Sequence, residues 1–262
     1  MLLPSFAVLP AEPVPTSAEF AANVLGFLLW SLAYVLIIIR GFRDRSYGVP
    51  LVAICLNVTW ELYFAWLCPL SEGRGKGYCT ASGMWLGLLY FWLLLDAVIL
   101  WQLVRYGSGR AGLEHYLPDE TRRRFAFLAL VIVLLFLSLA WQYSFVALAI
   151  DQDGNGLAWV TNLIMILLFI RSALTRPGLR GLSVGAAWAM LGGNLAFVTY
   201  AFLNNFAVFT PWPRQVTICL MLGVVLFNIL YLVVLWSRGA DLASWKAGWK
   251  VVGTWLLRPA TS

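Results

Sequence analysis

Seven stretches of this chain are each apolar enough to sit in a lipid bilayer, and little chain is left between them. They run over residues 20–39, 49–68, 84–104, 125–147, 157–171, 182–203 and 214–236. A helical span needs about 20 mostly apolar residues to cross a hydrocarbon core ~30 Å thick. The 157–171 run is the shortest, so its helix is expected to begin a little earlier. Only 11% of the 262 residues are charged and 61% are hydrophobic, against roughly 25% charged in soluble domains. No soluble domain is left over. The expectation is one all-α, polytopic membrane domain of seven transmembrane helices covering residues 1–262.

The net charge of +6 follows the spans instead of forming a patch for nucleic acid. With the N-terminus outside, 15 Lys and Arg fall on inner segments and three on outer ones (Arg74, Lys76 and Arg214). The excess of inner positive charge predicts N-out, C-in. Residues 1–18 carry four prolines and no basic start, so they read as an irregular lead-in and not a signal peptide. Beyond the last span, residues 238–262 form a tail. Within it Trp245, Trp249, Val252 and Leu256 fall on one helical stripe with lysines on a neighbouring face, the pattern of a helix lying in the membrane interface.

Cys68 and Cys79 bracket the first outer loop, where a disulfide is chemically possible. The plainer reading makes all four cysteines small apolar fillers. The segment DQDGNG (151–156) copies the first half of a calcium-binding loop, but its twelfth position is Asn162 and not glutamate. A turn built from Asp, Gly and Asn explains it better.

Two acids break the apolar pattern: Glu61 in CLNVTWELYFAW and Asp96 in FWLLLDAVILW. No Lys, Arg or His lies well inside any span, and the one histidine, His115, is in a loop. A charged carboxylate in hydrocarbon without a basic partner is costly by several kcal/mol, so the neutral, protonated acid is favoured. Such an acid is either a proton donor or one half of a hydrogen bond between helices, worth about 1 kcal/mol. Asn57 stands one helical turn before Glu61, and Asn162, Asn194 and Asn228 are further amides within spans. Aromatic residues make up 15% of the chain, many at mid-span: Trp60 and Phe64 beside Glu61, Trp92 one turn from Asp96, then Trp188, Phe197, Tyr200 and Tyr231. Most would serve packing or interfacial anchoring. A site handling a transient cation would need this same lining, because each aromatic face stabilises a cation by roughly 0.5–2 kcal/mol.

What is missing narrows the choice. A retinal protein needs a lysine in a span, a diphosphate-dependent prenyltransferase needs paired aspartates for magnesium, and a zinc protease or a serine hydrolase needs histidine. No cofactor and no metal is expected. Two readings survive: metal-free acid catalysis on an apolar substrate, and a small proton-coupled carrier using Glu61 and Asp96. Carriers usually show internal repeats and broken helices near the midplane. Here no repeat is evident, and LGGN (191–194) is the one strong interruption.

With seven short-looped helices, a Trp-Glu pair on the second (NVTWELYFAW) and an Asp on the third, the chain resembles the integral-membrane terpene cyclases. These are the paxilline-type cyclases of indole-diterpene and meroterpenoid pathways and their bacterial indole-sesquiterpenoid relatives. The resemblance implies a class II-like reaction on a prenylated aromatic substrate, a farnesylated indole derivative, entering from the bilayer. It gives Glu61 the role of proton donor to the terminal alkene or epoxide. The family's second acid, an Asp on the last helix, falls at Asn228 in LFNILYLVV. Asp96 supplies the second carboxyl, or Glu61 acts alone with Asn228 as its orienter, or the position has been changed from Asp. The binding residues expected around these three are Asn57, Trp60, Phe64, Trp92, Asn162, Trp188, Asn194, Tyr200 and Tyr231. The arginine-to-lysine ratio of 15 to 3 favours a multi-pass protein of a bacterial cytoplasmic membrane.

Overall fold

The computed structural model describes residues 16–67, 83–107, 119–148, 150–151, 154–209 and 212–239. The expected Cys68–Cys79 pairing, His115 and the interfacial helix over 241–257 lie outside the described residues, as does all but the end of the lead-in. Seven α-helices form among the described residues: α1 (Ser17–Asp44), α2 (Leu51–Leu62), α3 (Gly83–Gly107), α4 (Glu120–Ala147), α5 (Asn155–Thr175), α6 (Val184–Leu203) and α7 (Arg214–Ser237). There is no strand among the described residues. Six of these helices are long and apolar enough to cross a membrane. The exception is α2, which stays shorter than those six even with a π-helical turn, Tyr63–Leu67, added to its end. Together they cover 17 residues, about 25 Å at 1.5 Å per residue.

Helix ends follow local chemistry. Thr16 and Glu19 form a reciprocal capping box, so α1 starts at Ser17, three residues before the apolar run. Asp119 caps α4 and Ser183 caps α6, while Pro50 and Pro213 precede α2 and α7. The α4–α5 turn uses Gly154 at φ +72°, and Asp151 accepts a hydrogen bond from the Leu157 backbone N–H. That contact helps to start α5.

Packing runs from α1 to α6, α7, α5, α2 and α3 and back to α1, with α4 set against the outside of α2 and α3. The α1–α6 seam is the most extensive. Small residues allow it: a Cβ on Gly193 would stand 2.6 Å from the Trp30 ring, and one on Gly26 would stand 2.6 Å from Phe197. Large side chains such as Leu28, Leu94, Phe136 and Leu226 remain exposed on the outer surface, which is where lipid replaces water as solvent. One face of the bundle gathers the α1–α2 and α5–α6 connections and the end of α7. There Arg176 donates to the Tyr47 carbonyl at 2.7 Å and Arg238 to the Leu174 carbonyl at 3.0 Å. The opposite face holds the α4–α5 turn and Trp212.

Candidate active site

The helix ring encloses a cavity of about 110 Å³. Trp30 and Tyr34 of α1, Asn57, Trp60 and Glu61 of α2, and Trp92 of α3 form one side of its wall. Trp159, Thr161, Asn162 and Met165 of α5 and Asn194 and Phe197 of α6 form the other. Asn57, Trp60 and Glu61 share a wall because positions three and four apart lie on one helix face. Just after Glu61 the helix widens into the π turn. Such turns are often found at functional sites.

Glu61 is 1% exposed and Asp96 is fully buried. Both accept from Asn57 Nδ2, at 3.1 Å to Glu61 Oε1 and 2.7 Å to Asp96 Oδ2. Tyr34 donates its hydroxyl hydrogen to Glu61 Oε1 at 3.0 Å, and the Tyr34 oxygen lies in a short contact with Asn57 Nδ2. Two adjacent carboxyls in hydrocarbon, with no base beside them, do not both ionise. The pair therefore holds at least one proton. Oε1 of Glu61 is occupied by two donors, whereas Oε2 is buried without a partner among the described residues.

Across the cavity lies a second polar group. Asn194 Oδ1 accepts from Trp30 Nε1 at 3.1 Å and from Asn162 Nδ2 at 2.7 Å. Asn194 Nδ2, Asn162 Oδ1 and Thr161 Oγ1 are left without partners. Buried polar atoms in that condition are uncommon, and together they offer a donor and two acceptors. The aromatic wall is held as well as packed. Trp92 donates to Ser31 Oγ at 2.9 Å and stacks 4.9 Å from Phe27, and Trp60 donates to the Gly154 carbonyl at 3.1 Å.

The expected site residues divide on this geometry. Glu61, Asn57, Trp60, Trp92, Asn162 and Asn194 meet at the cavity, and Asp96 joins them through Asn57. The others are not on its lining. Phe64 packs behind the wall with Trp60, their rings 5.2 Å apart, and with Tyr63, Leu89 and Leu157. Trp188 is 45% exposed and lies edge-on to Trp236 on the outer surface. Tyr231 is buried against Phe169, and Tyr200 is not on the cavity lining. Asn228 is fully buried, but its Nδ2 donates to the Val224 carbonyl of its own helix at 3.1 Å. It does not reach Glu61. Sequence reasoning missed Tyr34, Trp30, Trp159 and Thr161. Trp30 and Tyr34 are four residues apart on one span, a spacing that could have drawn attention to them.

The model of one family, described as Pyr4-like transmembrane terpene cyclases, matches residues 10–239. The chain belongs to that family. Among curated relatives, this Pyr4-like chain is 26% identical over 170 residues to the terpene cyclase macJ of Penicillium terrestre, covering 64% of this chain and 60% of macJ. It is 27% identical over 185 residues to the terpene cyclase ausL of Emericella nidulans, covering 67% of this chain and 82% of that one. With the terpene cyclase andB of Emericella variicolor the identity is 25% over 100 residues, 37% of this chain and 38% of andB. The match thus spans less than two thirds of macJ and of andB. All three relatives are fungal, so the bacterial membrane suggested by arginine usage finds no support from them. An integral, multi-pass membrane protein is what the helices and the family both give.

Proposed function

We propose that this chain is a membrane-bound terpene cyclase in which Glu61 starts the reaction by protonating its substrate. The observation that carries the reading is the asymmetric Glu61 carboxyl: Oε1 is held by Tyr34 and Asn57, and Oε2 is unpartnered at a cavity walled by Trp30, Trp60, Trp92 and Trp159. The substrate is a prenylated aromatic, a farnesylated indole derivative, whose tail enters from the bilayer. Glu61 Oε2–H gives its proton to the terminal alkene, leaving a tertiary cation that the next double bond attacks. If the terminus is an epoxide, the same proton opens it and the oxygen becomes a hydroxyl. Rings close in sequence, each consuming one C=C and forming one C–C bond. The last cation loses a proton to a base, or is captured by the substrate's own indole ring, which then gives up a proton to that base; either course completes an isomerisation. Proton out and proton in balance, so no cofactor is called for.

Asn57, Tyr34 and Asp96 orient the acid, and the indole rings face the travelling charge. The Thr161, Asn162 and Asn194 group suits the polar head of the substrate, a role resting on its three unpartnered atoms.

The test is Glu61→Gln in membranes supplied with a farnesylated indole, followed for both cyclised product and transport. Gln keeps the size and the accepting oxygen but has no acidic proton. Cyclisation should fall by about 10²–10⁴-fold while the protein stays folded. Product formed at the unaltered rate would end the proposal. Transport without product would turn the assignment to a proton-coupled carrier.

A further inference from the structure

A second cavity, of about 660 Å³, opens on the face where the α1–α2 and α5–α6 connections meet. It is remote in character from the acidic one and has no part in the chemistry above. Its lining is divided. Arg171, Arg176 and Arg180 contribute one side, and Leu103, Phe127 and Leu130 contribute to the other. Leu130 is 41% exposed on the outer surface of the bundle, so the apolar side is continuous with the lipid-facing wall.

The three arginines are in different states. Arg176 is fixed. It donates to the carbonyls of Tyr47 and Arg180 at 2.7 and 3.3 Å, and its guanidinium lies 4.3 Å over the Tyr47 ring. Asp44, the acid of the α1–α2 connection, is already engaged by Arg40 at 2.6 Å and by the Gly181 N–H at 2.9 Å. The side chains of Arg171 and Arg180 have no ion pair and no hydrogen bond among the described residues. Two guanidiniums without counter-ions, at the mouth of a cavity with one apolar wall, are poised for an anion that carries its own hydrocarbon. Guanidinium groups suit phosphate oxygens in particular, because the planar fork makes paired N–H···O bonds. Basic pockets between transmembrane helices at the headgroup level are a recurrent lipid-binding arrangement.

We propose that this cavity binds a phosphate group through Arg171 and Arg180, and that its apolar wall selects the phosphate of an anionic phospholipid. The lipid's phosphodiester sits at the two guanidiniums, and the first part of an acyl chain lies along Leu103, Phe127 and Leu130. Bound there, it ties the α5–α6 connection to α3 and α4. The proposal does not depend on the cyclase reading.

The test uses the full chain purified in an uncharged detergent, with thermal midpoints recorded against phosphatidylglycerol, phosphatidylcholine and inorganic phosphate. Retained phosphatidylglycerol is counted by native mass spectrometry. Phosphatidylglycerol should raise the midpoint by about 5 °C at saturation and phosphatidylcholine should do far less. The Arg171→Gln/Arg180→Gln protein should lose both the shift and the retained lipid. Should the pair not fold, Arg180→Gln alone should weaken apparent lipid affinity about fivefold, the effect of one surface charge. An equal shift from inorganic phosphate alone would uphold the phosphate site but overturn the lipid as its source. Equal lipid responses in the altered and unaltered proteins, or no response to any phosphate, would overturn the proposal.

Discussion

The two cavities are built partly on the same helix, yet they handle polarity in opposite ways. α5 gives Trp159, Thr161, Asn162 and Met165 to the acidic cavity and Leu168, Arg171, Ser172 and Thr175 to the basic one. From Thr161 to Ser172 the helix advances only about 16 Å at 1.5 Å per residue. On the deeper side every polar group is a neutral amide, a hydroxyl or one of two neighbouring carboxyls, and each is tied to another helix or left facing the cavity. At the helix end, guanidiniums stand without acid partners. The difference follows from depth. A full charge in hydrocarbon costs several kcal/mol, whereas long cationic side chains near a helix end reach the interface. What a polar residue can do in this protein is therefore set by where along a helix it lies.

The contrast predicts where substitution hurts most. Asp96→Asn keeps the shape of the side chain and its hydrogen bond capacity but removes the second carboxyl from the pair. If the two acids share a proton, the remaining one is no longer held in that shared state. Cyclisation of a farnesylated indole should then fall by about 10²-fold, in the range of a lost acid–base partner. A rate within a few fold of the unaltered protein would mean that Glu61 works alone, and that Asp96 serves only to anchor Asn57 through their 2.7 Å hydrogen bond.

A smaller loss is expected one step further from the proton. Tyr34→Phe removes the hydroxyl that donates to Glu61 Oε1 at 3.0 Å but leaves the ring, which packs 6.1 Å from both Trp30 and Trp92. Asn57 still donates to Oε1. One hydrogen bond of about 1 kcal/mol corresponds to roughly a fivefold drop in kcat with KM little changed. A change confined to KM would move Tyr34 from orienting the acid to binding the substrate.

These expectations show how far the sequence could be read. The seven helices were legible because a span is a one-dimensional signal: about 20 apolar residues in a row, bounded by Pro, Gly and Arg. The α5 run looked short at 157–171 because less apolar residues at both ends, Asn155 and Gly156 at the start and Ser172 to Thr175 at the finish, belong to the helix. Glu61 and Asp96 stood out because an acid in hydrocarbon is rare, and Asn57 because it is one turn from Glu61. Tyr34, Trp30 and Thr161 were easy to overlook for the converse reason. In an apolar span, Tyr, Trp and Thr are ordinary residues, and their role here comes from partners 27 residues away for Tyr34 and 164 away for Trp30. The π turn had no such signal, and Phe64, which looked like a neighbour of Glu61, packs instead behind Trp60.

The smallest effect is expected at Asn228, the position where the resemblance placed the family's second acid. Its Nδ2 bonds to the Val224 carbonyl of α7 and its Oδ1 has no partner, so none of its polar atoms meets Glu61, Asp96 or Asn57. α7 contributes nothing to the lining of the acidic cavity. Asn228→Ala should therefore leave cyclisation within about twofold and lower stability by no more than about 1 kcal/mol, the scale of one buried hydrogen bond inside a membrane bundle. The comparison with Asp96→Asn makes the result decisive, because both replaced side chains are fully buried and only one touches the acid network. Equal losses of product from the two substitutions, with both proteins folded, would mean that α7 turns Asn228 toward Glu61 during the reaction. The carboxyl network would then extend across α2, α3 and α7, and Asn228 would be a positioning residue standing where the family has its acid.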